Sequence, residues 1–191
     1  MDSRGRLYFL GSAVSVSSDS PTPLDSVPLL RYDPAGEALD TLATLMVAKL
    51  DMKVEQVGGK IRSVSLRRVP LMAHDDWTLL ADDRVAVVRT GEYRLDIVGT
   101  GRRLVRGSRI PYTPIPVNDL DRKAAPAWAQ LPKVKPPFDG PSTLASSDRR
   151  IWIRRTAAAG DSIPHYDVLD LAGRRAWSKG QPQEHRTGTL Q

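Results

Sequence analysis

One pattern of short alternating strands and tight turns recurs along this chain, and it restricts the fold more than any other feature. In its fullest form Thr143-Leu144-Ala145 leads into the turn Ser147-Asp148-Arg149, then Ile151-Trp152-Ile153, a loop, His165 to Leu171, the turn Ala172-Gly173, and Arg174 to Ser178. That order reads as a four-stranded antiparallel meander. A second copy runs from Thr78-Leu79-Leu80-Ala81 through Asp82-Asp83-Arg84, Val85 to Val88, Tyr93 to Val98, the turn Gly99-Thr100-Gly101, and Arg102 to Arg106. Val85 and Ile151 lie 66 residues apart, and the approaches Pro70-Leu71 and Pro137-Phe138 lie 67 apart, so the copies keep register. A third, shorter copy opens the chain: Gly5-Arg6, then Leu7 to Leu10, a Ser/Pro/Asp-rich loop over 12–28, Leu29 to Asp33, Pro34-Ala35-Gly36, and Ala38 to Leu45. Gly36, Gly101 and Gly173 are expected to close the second tight turn of each copy.

Composition agrees with an all-β reading. Fifteen Pro and fourteen Gly separate β-branched runs, and 40% hydrophobic residues across 191 positions suffice for a core. The formal charge of +6 and pI near 9.8 raise the question of an anionic partner. The basic residues are mostly Arg scattered over strands and turns, with no zinc-finger spacing or aromatic RNA-binding motif, so no nucleic-acid partner is expected. With no cysteine, disulfides, thiolate zinc sites and a thiol nucleophile are excluded. The longest apolar run, Leu42 to Leu50, contains Lys49 and is too short for a membrane span, and no apolar stretch of signal-peptide length follows Met1 to Arg6.

The segments between copies carry their own signals. Val54-Glu55-Gln56-Val57, Gly58-Gly59 and Lys60 to Val69 form a hairpin pattern. Pro111, Pro114 and Pro116 open a Pro-rich connection in which Asn118 is placed to cap a short helix ending near Ala125, before Pro126. Residues 131–141 read as extended. The tail, 183–191, is polar and expected to be disordered.

Long-period self-similarity of β meanders points to a propeller or another radial array. The stretches Asp2-Ser3-Arg4-Gly5-Arg6-Leu7-Tyr8-Phe9-Leu10, Ser147-Asp148-Arg149-Arg150-Ile151-Trp152-Ile153 and Tyr166-Asp167-Val168-Leu169-Asp170-Leu171-Ala172-Gly173-Arg174 resemble blade signatures of six-bladed β-propellers of the NHL-repeat and TolB-like group. The second copy departs from them, with Val98 where the others have Asp33 and Asp170. The resemblance implies a partial propeller over 1–182, with blades of about 1–69, 70–110 and 137–182 and a Pro-rich connection over 111–136. Copy one has no inner strand. Three blades do not close a ring, so the expectation is a fragment of a six-bladed propeller or a half that pairs with a second copy. Bacterial export, to the periplasm or beyond, is a further implication of the resemblance.

The long, unequal loops of such an array share one face, where binding usually resides. His74, Asp75 and Asp76 lie there as residue types that ligate a metal or orient a base, against the plainer alternative of a polar loop. Arg89 and Arg155, each four positions after a strand start, suit an anionic ligand, or equally ion pairs with Asp residues of neighbouring blades. Trp77 and Trp128, assigned to connections, are candidates for ligand contact; Tyr8, Phe9 and Trp152 are expected to pack blade against blade. His165-Tyr166-Asp167 with Ser162 are too close in sequence for triad geometry. The expected function is a non-catalytic scaffold holding a protein, peptide or glycan, with no cofactor. The alternative is a propeller-type metal-dependent hydrolase or lyase with a divalent ion in the central channel.

Overall fold

The computed structural model describes residues 1–17 and 20–178. Fifteen strands and one short helix follow in order: β1 (Leu7–Leu10), β2 (Val14–Ser17), β3 (Ser20–Pro23), β4 (Ser26–Asp33), β5 (Ala38–Met46), β6 (Leu50–Val57), β7 (Lys60–Arg68), β8 (Asp76–Leu79), β9 (Val85–Arg89), β10 (Arg94–Val98), β11 (Leu104–Arg109), α1 (Asp119–Ala124), β12 (Thr143–Ala145), β13 (Ile151–Arg154), β14 (Tyr166–Leu169) and β15 (Arg175–Ser178). The all-β expectation holds. Sheet one is β1-β4-β5, sheet two β11-β10-β9-β8 and sheet three β12-β13-β14-β15, all antiparallel, with β2-β3 and β6-β7 as separate hairpins. Sheet one has three strands.

A single turn geometry builds the meanders. In it the first residue donates its N–H to the carbonyl of the fifth, the fourth donates back to the first, and the fourth is left-handed: a type I turn closed by a bulge. It occurs at Asp2–Arg6, Leu80–Arg84, Gly99–Arg103, Ser146–Arg150 and Asp170–Arg174, with N···O distances of 2.8–3.2 Å. The fourth residues, Gly5, Asp83, Arg102, Arg149 and Gly173, have φ of 62–77°. Every copy ends on arginine. The left-handed position of the β10–β11 turn is therefore Arg102, not Gly101, and the β4–β5 turn of sheet one uses Glu37 (φ 49°), not Gly36. Where the first residue is Asp its carboxylate fastens the turn: Asp2 accepts from the backbone N–H of Arg4 (2.9 Å) and Arg6 (3.0 Å), the Arg6 guanidinium (2.6 Å) and the Tyr8 hydroxyl (2.7 Å).

Strand alternation turns these meanders into a stack. Val85 and Val87 project from one face of sheet two and, with Val98, pack on Leu29 and Leu45 of sheet one. Ala86, Val88, Leu95 and Ile97 project from the other face and meet Phe138, Ile151, Ile153 and Leu169. Residues 85–88 are thus buried on both sides, and as a run of Val and Ala they place no polar side chain on either face. Each fully buried Val, Ile or Leu contributes about 1.5–3 kcal/mol, so these two layers hold the chain together. Two glycines sit at close approaches: Gly107 Cα of sheet two lies 3.7 Å from the position a Cβ would take on Gly173 of sheet three, and within sheet two a Cβ on Gly107 would sit 2.2 Å from the Leu95 carbonyl oxygen.

Several expectations are corrected. The segment taken as a loop over 12–28 contains the β2–β3 hairpin and the start of β4. The inner strand of sheet two starts at Asp76, so Asp76 and Trp77 stand on β8 and not in a connection, and Trp77 packs against the sheet one–sheet two layer. Phe9 is 42% exposed and Trp152 lies half-buried against Tyr166, so neither packs between described sheets; Tyr8 does. The Asn118 cap forms as expected, with a reciprocal capping box to Asp121. Lys135, itself buried, reaches Asp121 (2.7 Å) and the Ala157 carbonyl (2.9 Å), tying the Pro-rich connection to sheet three. The tail over 183–191 lies outside the described residues.

Candidate functional site

The residues from His74 to Asp76 join four parts of the molecule. Asp75 Oδ2 accepts from Met46 N at the end of β5 (3.0 Å) and from Arg89 Nη1 (2.8 Å), while Oδ1 accepts from Thr90 N (3.0 Å). Its own N–H donates to the Met46 carbonyl (2.8 Å), completing a two-way link between sheets one and two. Asp76 turns the opposite way: Oδ2 accepts from Ser142 N (2.7 Å) and Thr143 N (2.9 Å), fixing the start of β12. His74 is buried, edge-on to Phe138 at 5.7 Å. Arg68 Nη2 lies 3.0 and 3.1 Å from the two ring nitrogens of His74, the Met72 carbonyl 3.2 Å from Nδ1 and the Gly140 carbonyl 3.3 Å from Nε2.

Arg89 belongs to the same network. Its guanidinium donates to the Thr44 carbonyl (2.6 Å), to Asp75, and through Nε to Asp96 (3.1 Å), a carboxylate with no exposed surface that also receives Arg94 (2.8 Å). A buried carboxylate needs such partners to stay charged. The equivalent group in sheet three is Asp167, equally buried, which accepts from the Tyr93 hydroxyl of sheet two (2.6 Å) and pairs with Arg175 (3.1 Å). Burial first, and then the negative Asp167 beside it, push the Tyr93 hydroxyl well above its ordinary value of 10.0. Arg155 is the counterpart of Arg89, 3.8 Å from Asp167. It lines a separate cavity of about 240 Å³ with Asp139, Thr156 and Asp161. His165 pairs with Asp161 (2.8 Å).

The structure therefore brings His74, Asp75, Asp76 and Arg89 together and leaves Arg155 apart. Among the described residues, no three His, Asp or Glu side chains form a group able to hold a metal. What the first three residues do share is the lining of a cleft of about 250 Å³ at the base of the β6–β7 hairpin. Apart from Arg68, the rest of its wall is mostly apolar and includes Leu10, Ala13, Leu45, Met46, Leu50 and Trp77. Trp77 was visible in the sequence as a candidate. The others come from separate segments and carried no local signal. Trp128 lies instead under the Arg67 guanidinium, 4.4 Å from its ring centre, bracing the hairpin against the Pro-rich connection.

Comparisons with protein-family models, with curated proteins and with solved structures returned no match. Among the described residues, no helix is long and apolar enough to cross a membrane.

Proposed function

We propose that this chain is a non-catalytic binding scaffold of β-propeller type, its sheets serving as blades and its long-loop face holding a protein or peptide partner. The observation that carries the reading is the division of labour around the cleft. Its polar side chains, Arg68, His74, Asp75 and Asp76, are committed to bonds within the chain, while the rest of the lining is mostly apolar. A mostly apolar cleft with a few fixed polar groups in its lining suits an inserted apolar side chain. The volume of about 250 Å³ admits one aliphatic or aromatic anchor residue.

Selection from a displayed peptide library, counter-tested on Ala13→Trp, checks this. Ala13 lines the cleft, and the indole would fill it. Selected peptides should share an apolar anchor and lose at least about tenfold in affinity on the variant, the cost of about 1.4 kcal/mol or more of lost burial. Peptides indifferent to Ala13→Trp would refute the assignment of the cleft. Calcium or zinc retained in stoichiometric amount, together with hydrolysis abolished by a chelator, would replace the scaffold with a metal-dependent hydrolase or lyase.

A further inference from the structure

The stack of sheets has a polarity, and among the described residues nothing covers either of its ends. Leu7, Val85 and Ile151 each directly follow the arginine of the recurrent turn, so they mark equivalent positions in the three sheets. The face that carries Val85 and Val87 looks toward sheet one, and the face that carries Ile151 and Ile153 looks toward sheet two. In each case this leading face meets the trailing face of the sheet before it. The rule is obeyed at both interfaces inside the chain.

Sheet one has a leading face with nothing described against it. Leu7 (46% exposed), Phe9 (42%) and Leu39 (60%) stand there, with Leu30 and Tyr32 half-buried between them, as the pairs Leu7↔Tyr32↔Leu39 and Phe9↔Leu30 require. Sheet three has a trailing face with nothing described against it either. It carries Leu144 (66% exposed), the Trp152–Tyr166 edge-to-face pair at 6.0 Å, and Val168 beneath them. Exposed apolar sheet faces of this kind are interaction surfaces. The two ends are unlike each other, and each is the counterpart of a surface already engaged inside the chain.

We propose that two copies of this chain associate head to tail in a closed pair, the leading face of sheet one in each copy covering the trailing face of sheet three in the other. The size of the contact favours closure. Sheet three is four strands wide and three to four residues long, a footprint of about 19 Å by 13 Å from standard strand spacings. One such contact buries roughly 500 Å² counted over both surfaces, which is the scale of a lattice contact. Two made together bury about 1,000 Å², the threshold of a specific interface. A head-to-tail contact that closes by two-fold symmetry makes both at once.

Sedimentation velocity on the full chain tests this with two variants of opposite charge, Phe9→Lys on sheet one and Leu144→Glu on sheet three. The parent at about 50 µM should run as a species of about 42 kDa, twice the 21.0 kDa of one chain. Each variant alone carries a buried charge in both contacts and should run as a monomer. An equimolar mixture confines both changes to one contact, Lys opposite Glu, and leaves the other native, so the dimer should return. Circular dichroism verifies folding, and Leu39→Lys, at the more exposed Leu39, replaces Phe9→Lys if that variant is unfolded. A monomeric parent, a Leu144→Glu variant that still dimerises, or polymers that lengthen with concentration would each overturn the closed pair. None of these results bears on the cleft, whose test uses a different face.

Discussion

Replacing Asp2 by Asn removes the carboxylate that fastens the first recurrent turn, and the structure sets the size and pH dependence of the loss. Burial raises the Asp2 carboxyl, but the Tyr8 hydroxyl, the Arg6 and Arg4 backbone N–H groups and the Arg6 guanidinium outweigh it and hold the group down at about 2, against an ordinary 3.8. At about 1.4 kcal/mol per unit, that difference corresponds to no more than about 2.4 kcal/mol, and solvent screening reduces it to about 1–2 kcal/mol. The folded-state value lies below the unfolded one, so this stability is present above about pH 4 and disappears as the pH falls through about 2. Urea denaturation of parent and Asp2→Asn should differ by about 1–2 kcal/mol at pH 6, with the gap closing toward pH 2. Asp170→Asn is the internal control, because the same turn recurs there with Asp170 side-chain exposure of 35% and Arg174 exposure of 80%, against 0% and 5% for Asp2 and Arg6. Its cost should be under about 0.5 kcal/mol. A gap for Asp2→Asn that stays constant from pH 6 to pH 2, or an equal cost at Asp170, would refute the argument that burial sets the strength of the turn.

Tyr93→Phe removes a hydrogen bond to a buried carboxylate and should cost about 1.5–3 kcal/mol in urea denaturation at pH 7. Because the folded state holds the Tyr93 proton after the unfolded chain releases it, the parent should also lose stability as the pH rises beyond about 10, a slope the variant lacks. Arg149→Gly relieves a left-handed residue, exposed and at φ 62°, and should raise the denaturation midpoint by the equivalent of about 0.5–1 kcal/mol.

The parts of the fold that were legible in the sequence are those written locally. The turn needs five consecutive residues, strand alternation needs four or five, and the Asn118 cap needs four, so each left its mark in the chain. The β2–β3 hairpin escaped because Pro21 and Pro23 read as loop residues; on a two-stranded ribbon every strand is an edge, where a missing N–H is tolerated. The role of His74-Asp75-Asp76 was illegible for a different reason. Their partners Met46, Ser142 and Gly140 lie 29 to 66 residues away, and three ligand-type residues in a row look the same whether they bind an ion or tie sheets. Phe9 and Trp152 were recognised as packing residues, but only the order of the sheets reveals that they face outward at opposite ends. The cleft was invisible as a unit because its wall is assembled from the ends of β1 and β5, the base of the hairpin, β8 and the approach to β12.

The recurrent turn keeps its backbone bonds whether its first residue is Asp, Leu, Gly or Ser, and its left-handed position accepts Gly, Asp or Arg. A repeat specified by main-chain geometry constrains side chains weakly, beyond a preference for a closing arginine and an apolar residue after it. Duplicated units of this kind can lose almost all detectable likeness to one another, and to units in other proteins, while their strands still register and their faces still meet. Ancestry in such a chain is better sought in the recurrence of its dihedral angles than in its letters.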